Sequence, residues 1–386
     1  MSRALTSDAV IAAVAESPYA RHPPAYATTE TYLADAVVRV LAAEGIGRDE
    51  VDGFGVSSFT LAPDNAIDLA WKLGLRLRWL LQDTNGGASG LNMLRHAVRA
   101  VEAGDAEVIV LVAGDRLLPR EFVALVDGYN EATRDHLAPL PSAGPNSVFS
   151  FLTQRHMARF GLEREDYGRV AVAQRSWASR NPHAVYRSPL TLDGYLSAPP
   201  VAPPLHRFDC VPVVSGADAV LVTARDRARG NPAVIVRAFG ASYNDDQQEG
   251  DGLSTGLAAL ADELWHEAAL GPDDLDAAYL YDDYPVMVAV QAMDLGLVPD
   301  GDIRRFLRVR IDEERWPLNT SGGQLSAGQA GAAGGMHGLV EAVRQLRREA
   351  DERQVADART ALVAGYGMVL YRYGACANAA ILERVA

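Results

Sequence analysis

Cysteine is scarce in this chain of 386 residues: there are two, Cys210 and Cys376, far apart and without a CxxC companion. That excludes a disulfide framework and a structural zinc site, and it fits a reducing cytoplasm. Both thiols are expected to be buried and inert. Long apolar runs are missing too, and none approaches the length of a membrane-spanning helix. The first apolar stretch, residues 9–15, has no basic segment before it and is followed at once by ESPYARHPP, so it reads as a first strand and not as a signal peptide. Positive charge is short: 36 Lys and Arg face 50 Asp and Glu, a formal net charge of -14. Long-range attraction to nucleic acid or to an anionic membrane is thereby disfavoured, and any polyanionic ligand must be met by a local cationic pocket or by a partner chain. The histidines form no HxxxH or HxH pattern with acids, so no metal site is expected.

What the chain does have is internal repetition, which changes the expected fold more than any local propensity does. LADAVVRVLAAEGIGRDEVDGFGVSSF (residues 33–59) is echoed by LADELWHEAALGPDDLDAAYLYDDY (residues 260–284). Each reads as an amphipathic helix, a Gly/Asp turn and a strand. A second echo links residues 85–115 with residues 319–365, each a Gly-rich bend, a long helix and a buried strand. In the first of these helices Leu91, Leu94, Val98 and Val101 share one face, and EVIVLVAG after it is an uninterrupted apolar strand of the kind covered on both sides.

Helix and strand alternating in this way predict parallel βαβ units. Two such halves give an α/β/α/β/α layered architecture, with boundaries expected at 1–230 and 231–386 and a loop domain inserted at about 117–205. Within that insertion SVFSFLTQRHMARFG and YGRVAVAQRSWASRNP predict helices.

Five segments in this order resemble the thiolase superfamily, and its sterol-carrier-protein-type branch in particular. NGGASGLNMLRHAVRAVEAGDAEVIVLVAGD stands where thiolases have Cys-Ala/Ser-Ser-Gly before a helix and strand. NPHAVYRSPLTLDGYL and FDCVPVVSGADAVLV follow in the middle. YDDYP stands where thiolases have an Asn-Glu-Ala-Phe or His-Asp-x-Phe box, and NTSGGQLSAGQAGAAGG where they have a Gly-His-Pro box. The likeness covers nearly the whole chain and implies the thiolase fold.

Thiolase chemistry needs a thiolate at the N-terminus of a buried helix. Gly87 stands at the matching position, so no side chain is available to take an acyl group. Gln329 fills the position of the Gly-His-Pro histidine, Tyr281 that of the His or Asn of the other box, and VAGYGM, with Tyr366, that of the C-terminal cysteine box. Nucleophile, base and acid are all changed. Steroid side-chain-cleaving aldolases are members of the superfamily that lack the nucleophile, and the sequence looks like them. That resemblance implies retro-aldol cleavage of a β-hydroxyacyl thioester of coenzyme A to a ketone and a shorter acyl-CoA such as propionyl-CoA. It also implies a homodimer assembled with a small OB-fold protein that binds acyl-CoA, with no permanently bound cofactor.

A retro-aldol step needs a base for the β-hydroxyl proton, donors for the thioester enolate and an acid for the α-carbon, but no covalent acyl-enzyme. Tyr281 and Tyr366 are the first candidates for proton transfer. Tyr284 matches the Phe of the thiolase box and so equally fits packing, and Asp283, with Asp282 beside it, is a further acid-base candidate against the alternative of solvated acids at a strand end. Gly87, Asn319, Gly322, Gly323 and Gln329 are candidates for the substrate pocket, their amides suited to holding an enolate oxygen. His337, one turn into the following helix, and Tyr371 join them, His337 against the alternative of an ordinary buried histidine. A tyrosine base needs donors or a cation to lower a pKa of roughly 10, and Arg372, Tyr371 and Tyr373 in LYRYG are the local candidates. Two other readings stay open: a degenerate thiolase or acyltransferase using Cys376, and a non-catalytic subunit that binds acyl-CoA or lipid.

Overall fold

The computed structural model describes residues 8–140, 144–230, 232–247, 249–371 and 374–385. Arg372 and Tyr373, named above as local candidates, lie outside the described residues.

Among the described residues nine strands build the scaffold: β1 (Ala9–Ala20), β2 (Gly53–Ser57), β3 (Trp79–Gln82), β4 (Val108–Asp115), β5 (Ser215–Ala224), β6 (Ala233–Tyr243), β7 (Ala277–Tyr279), β8 (Thr360–Val369) and β9 (Gly374–Val385). Their order is β3-β2-β4-β5-β1-β6-β9-β8-β7. A single pairing, Ile11 with Val234, joins β1 to β6 and links two half-sheets. β3, β2 and β4 run parallel at one end and β8 and β7 at the other, as βαβ units require. The middle strands pair antiparallel, which alternation alone does not predict. For β8 and β9 the reason is the connection, which is too short for a helical crossover and leaves a hairpin.

Helices α1 (Thr29–Glu44), α2 (Ser89–Ala103), α4 (Leu257–Ala268), α5 (Pro285–Asp294) and α6 (Gly334–Arg347) build the layers, and α3 (Pro145–Phe160) belongs to the segment after β4. The Leu91, Leu94, Val98, Val101 stripe of α2 is buried together with Met336, Leu339 and Val343 of α6, Ile109 and Leu111 of β4 and Val363 of β8. One core thus holds residues of both half-sheets with two helices between them. On the outer side of the first half-sheet, Leu33, Val37 and Val40 of α1 cover Val110, Val112 and Leu221. On the outer side of the second, α4 and α5 cover Leu362, Ala379 and Ile381. This is the five-layered α/β/α/β/α arrangement. The segment after β4 carries α3 and the helix Arg164–Ala178 where its sequence predicts helices, and a further helix, Pro119–Asp127, that the sequence reading does not contain. Among the described residues no helix is long and apolar enough to cross a membrane.

Candidate active site

The two central helices begin side by side. A 3-10 turn, Gly86–Ala88, leads into α2, and another, Gly331–Ala333, leads into α6. A Cβ on Gly335 would lie 2.7 Å from the carbonyl oxygen of Gly87 and 2.9 Å from that of Gly86, so the two helix starts approach closely only because residue 335 has no side chain. The chain leaving β7 and the body of β8 pass over this junction and set Tyr281 and Tyr366 on it. Their rings meet edge to face, with centroids 4.8 Å apart.

Gly87 lies directly under them. A Cβ at residue 87 would sit 2.5 and 2.6 Å from Cε2 and Cζ of Tyr281, and closer still to the carbonyl oxygen of Tyr366. The space a nucleophilic side chain needs is filled by a tyrosine ring. The Tyr281 hydroxyl accepts a 2.9 Å hydrogen bond from Nε2 of Gln329, which keeps its own proton for an acceptor in the cavity. The Tyr366 hydroxyl donates to Oδ1 of Asp283.

Burial, then the neighbouring Asp283, raises both phenols well above the ordinary tyrosine range. Both are therefore neutral donors near pH 7, not phenolate bases. Burial also pushes the Asp283 carboxyl up to about 7, the Tyr366 hydrogen bond opposing it, so this group can accept or release a proton near neutrality. Asp282 is pushed up to about 8, again by burial, but its oxygens accept from the main-chain N–H of Gln324 (3.0 Å) and Leu325 (3.2 Å). It caps the short helix Gly323–Ala327. Neither acid is a solvated end of a strand.

These groups open on a cavity of about 400 Å³. Gly87, Tyr281, Asp283, Gln329 and Tyr366 line its floor, and its walls are largely apolar: Phe59, Phe122, Val126, Leu137, Phe149 and Val369 among them. Tyr284 is part of the wall, stacked on Phe149 with centroids 4.4 Å apart, its hydroxyl donating to Oδ1 of Asn146 at 2.8 Å. Cys210 also lines the cavity and is only half-buried, which corrects the expectation for that residue. Its thiol is held protonated, pushed up to about 12 by burial and then by Asp209 and Asp283. No Lys, Arg or His is among the described lining residues.

Similarity to known proteins follows the same lines. A family model for the thiolase C-terminal domain-like group matches residues 240–384. A steroid side-chain-cleaving aldolase of Thermomonospora curvata is 31% identical over 355 residues, 86% of this chain and 89% of that protein. The chain belongs to this thiolase-like aldolase family. The 17-hydroxy-3-oxo-4-pregnene-20-carboxyl-CoA lyase of Mycobacterium tuberculosis is 30% identical over 335 residues, 81% of this chain and 85% of that protein. The solved structure of the Ltp2-ChsH2(DUF35) aldolase superposes with a TM-score of 0.83 at 25% identity, covering 98% of both chains.

Several residues that the sequence proposes for the pocket lie outside it in this aldolase-family chain. Asn319 pairs through both ends of its amide, at 2.9 Å each, with the main-chain N–H and C=O of Leu280. Gly322 and Gly323 turn the chain with φ of 99° and 60°, one against Ala178 and the other against the Asp282 carboxylate. His337 is buried away from the cavity, its ring nitrogens 2.8 Å from Ser321 Oγ and 3.3 Å from Tyr19 Oη, and burial lowers its pKa. Tyr371 is 46% exposed and lines a neighbouring cavity of about 390 Å³ that shares Leu137, Gly144 and Val148 with the first. For Asn319, Gly322, Gly323 and Tyr371 the hydrogen-bond partner or wall comes from a distant segment that the local motif does not contain, whereas His337 joins Ser321 of its own motif to the distant Tyr19.

Cys376 is the other residue to place. It is buried on β9, its sulfur 3.7 Å from Oδ1 of Asn85, its thiol pushed up to about 11 by burial, and it is absent from the cavity lining. Cys376→Ala should therefore turn over at the wild-type rate in a steady-state assay; loss of turnover would restore the acyltransferase reading.

Proposed function

We propose that this chain cleaves the Cα–Cβ bond of a β-hydroxyacyl-CoA by a retro-aldol reaction, giving a ketone and a shorter acyl-CoA. The observation that carries the reading is the Tyr281 ring packed onto Gly87. It denies the site a covalent acyl-enzyme and puts a hydrogen-bond donor where the thioester would be. Asp283 takes the β-hydroxyl proton. The carbonyl forms at Cβ as the Cα–Cβ bond breaks, and its electron pair moves onto the thioester as an enolate. Tyr281, itself held by Gln329, donates to the enolate oxygen. Tyr366, bonded to Asp283, passes the proton back to Cα, so the step is proton-neutral.

A steroid side-chain thioester is the proposed substrate. A largely apolar cavity of about 400 Å³ suits a fused-ring hydrocarbon, and the named relatives act on such compounds. The phosphates of coenzyme A would find no cation among the described residues that line this cavity and Arg155 alone among those of the neighbouring one, in a chain of net charge -14. A small OB-fold acyl-CoA-binding partner is proposed to supply that contact, with this chain as a homodimer within the heteromer, in the cytoplasm and with no cofactor beyond the substrate's own coenzyme A.

The test is turnover of a β-hydroxyacyl-CoA by the full chain with such a partner, followed by intact-protein mass spectrometry during the reaction. Tyr281→Phe and Tyr366→Phe are each expected to lower kcat by about 100-fold or more, and no acyl adduct should form. An adduct, or unchanged turnover in either variant, overturns the reading.

A further inference from the structure

β7 ends at Tyr279, where its pairing with β8 stops at Val363. The next residues have no strand partner in the sheet, yet they run through the interior, where an unpaired main-chain polar group costs about 1–3 kcal/mol. Side-chain amides replace the missing strand. Asn319 serves Leu280, as described above. Gln291 serves Tyr281: its Oε1 accepts from the Tyr281 N–H at 3.2 Å, and its Nε2 donates to the Tyr281 carbonyl at 2.7 Å.

Gln291 is wholly buried in the middle of α5, the single polar residue in the run PVMVAVQAM. Burying an amide in such a helix is unfavourable unless its valences are filled. A third hydrogen bond, from Nε2 to the carbonyl of Met287 at 2.8 Å, fixes the amide plane against its own helix. The side chain is absent from the described lining of the cavity.

We infer that Gln291 is a positioning residue: it fixes the Tyr281 main chain so that the ring stays on Gly87 and the hydroxyl stays on Gln329. The inference rests on the catalytic reading of Tyr281 given above. Rotation of the unsupported main chain would swing the hydroxyl at the far end of the ring, and a displacement of about 1 Å at a reacting group costs on the order of 100-fold in rate.

Four variants of the full chain test it: Gln291→Met, Gln291→Glu, Tyr281→Phe and the double variant Gln291→Met/Tyr281→Phe. Each is assayed for kcat and KM on a β-hydroxyacyl-CoA across pH, with thermal unfolding as a check on folding. Gln291→Met, which keeps length and loses both polar ends, is expected to lower kcat about 100-fold with KM little changed. In the double variant the methionine should add no further loss, because it acts through the hydroxyl already removed. Gln291→Glu should match wild type measured at the same pH while its buried carboxyl is protonated and so offers both an acceptor and a donor, and should fall below wild type as that carboxyl ionises. Should Gln291→Met not fold, the pH profile of Gln291→Glu decides alone. A wild-type kcat in Gln291→Met, a fully additive loss in the double variant, or a Gln291→Glu profile identical to wild type overturns the inference while leaving Tyr281 in place. Full activity in Tyr281→Phe overturns both.

Discussion

Gly87→Ala is expected to lose turnover by about 100-fold or more, and Gly87→Cys to gain no acyl-transfer activity in exchange. Any Cβ at this position meets two obstacles of different kinds. The Tyr281 ring, 2.5 Å away, can move, but only by leaving Gln329 and the floor of the cavity. The Tyr366 carbonyl oxygen belongs to β8 and cannot yield without dragging the strand, whose next residue, Gly367, pairs with Cys376 on β9. Overpacking a well-filled interior costs about 1–3 kcal/mol in stability, so a falling melting temperature should accompany the loss of rate. Labelled acyl-CoA and mass spectrometry make the second half of the prediction measurable. A folded Gly87→Cys variant that becomes acylated would mean that the tyrosine does not hold the space.

That expectation was half legible in the sequence. Glycine at residue 87 of the GGAS turn says that no nucleophile is present, and the repeats with their apolar stripes say which helices form the middle layer. The sequence cannot say what fills the vacated space. Side-chain direction follows period two only along a strand, and β7 stops two residues before Tyr281. Where the ring points is decided by Gln291 on α5 and by the start of α6, neither of which the YDDYP motif contains. The lone glutamine in an apolar helix was a readable signal of a buried amide with fixed partners.

The same limit explains the residues that fell elsewhere. Asn319, Gly322 and Gly323 belong to a bend whose composition suits an oxyanion pocket, yet their valences and conformations serve the chain itself. Composition reports hydrogen-bonding capacity, not which partner uses it. The cavity wall was likewise beyond local reading: Phe122 and Phe149 come from the segment inserted after β4, outside the repeated motifs, and Phe59 stands at the very end of one of them. Asp283 is the instructive case in the other direction. Two acids in a row look solvated, but one caps a helix and the other is half-buried at the cavity, accepting from Tyr366.

Asp283→Asn is the second change with a large expected effect, lowering kcat by about 100- to 10,000-fold. Asparagine keeps an acceptor for the Tyr366 hydroxyl and removes the ability to take a proton, so the geometry survives and the base does not. Burial sets this carboxyl at about 7, and the ionised form is the base, so wild-type kcat/KM should rise through an acid limb centred near pH 7 and level off above it. Asp282, pushed up to about 8, is a second candidate for that limb, and Asp282→Asn separates the two. The limb should persist in Asp282→Asn and vanish in Asp283→Asn.

Stability should move the opposite way. A carboxyl whose folded-state pKa is raised binds its proton in the native state over a range where the unfolded chain, near 3.8, has released it. Its contribution is present below that range and is lost as pH rises through about 7. Above pH 7 the native protein carries a buried charge that asparagine does not, so thermal unfolding at pH 8 should show the variant more stable than wild type, the difference closing towards pH 4. An active Asp283→Asn, or one that is less stable at pH 8, would remove this carboxyl from the proton-transfer role and leave the tyrosines without a partner to share the proton.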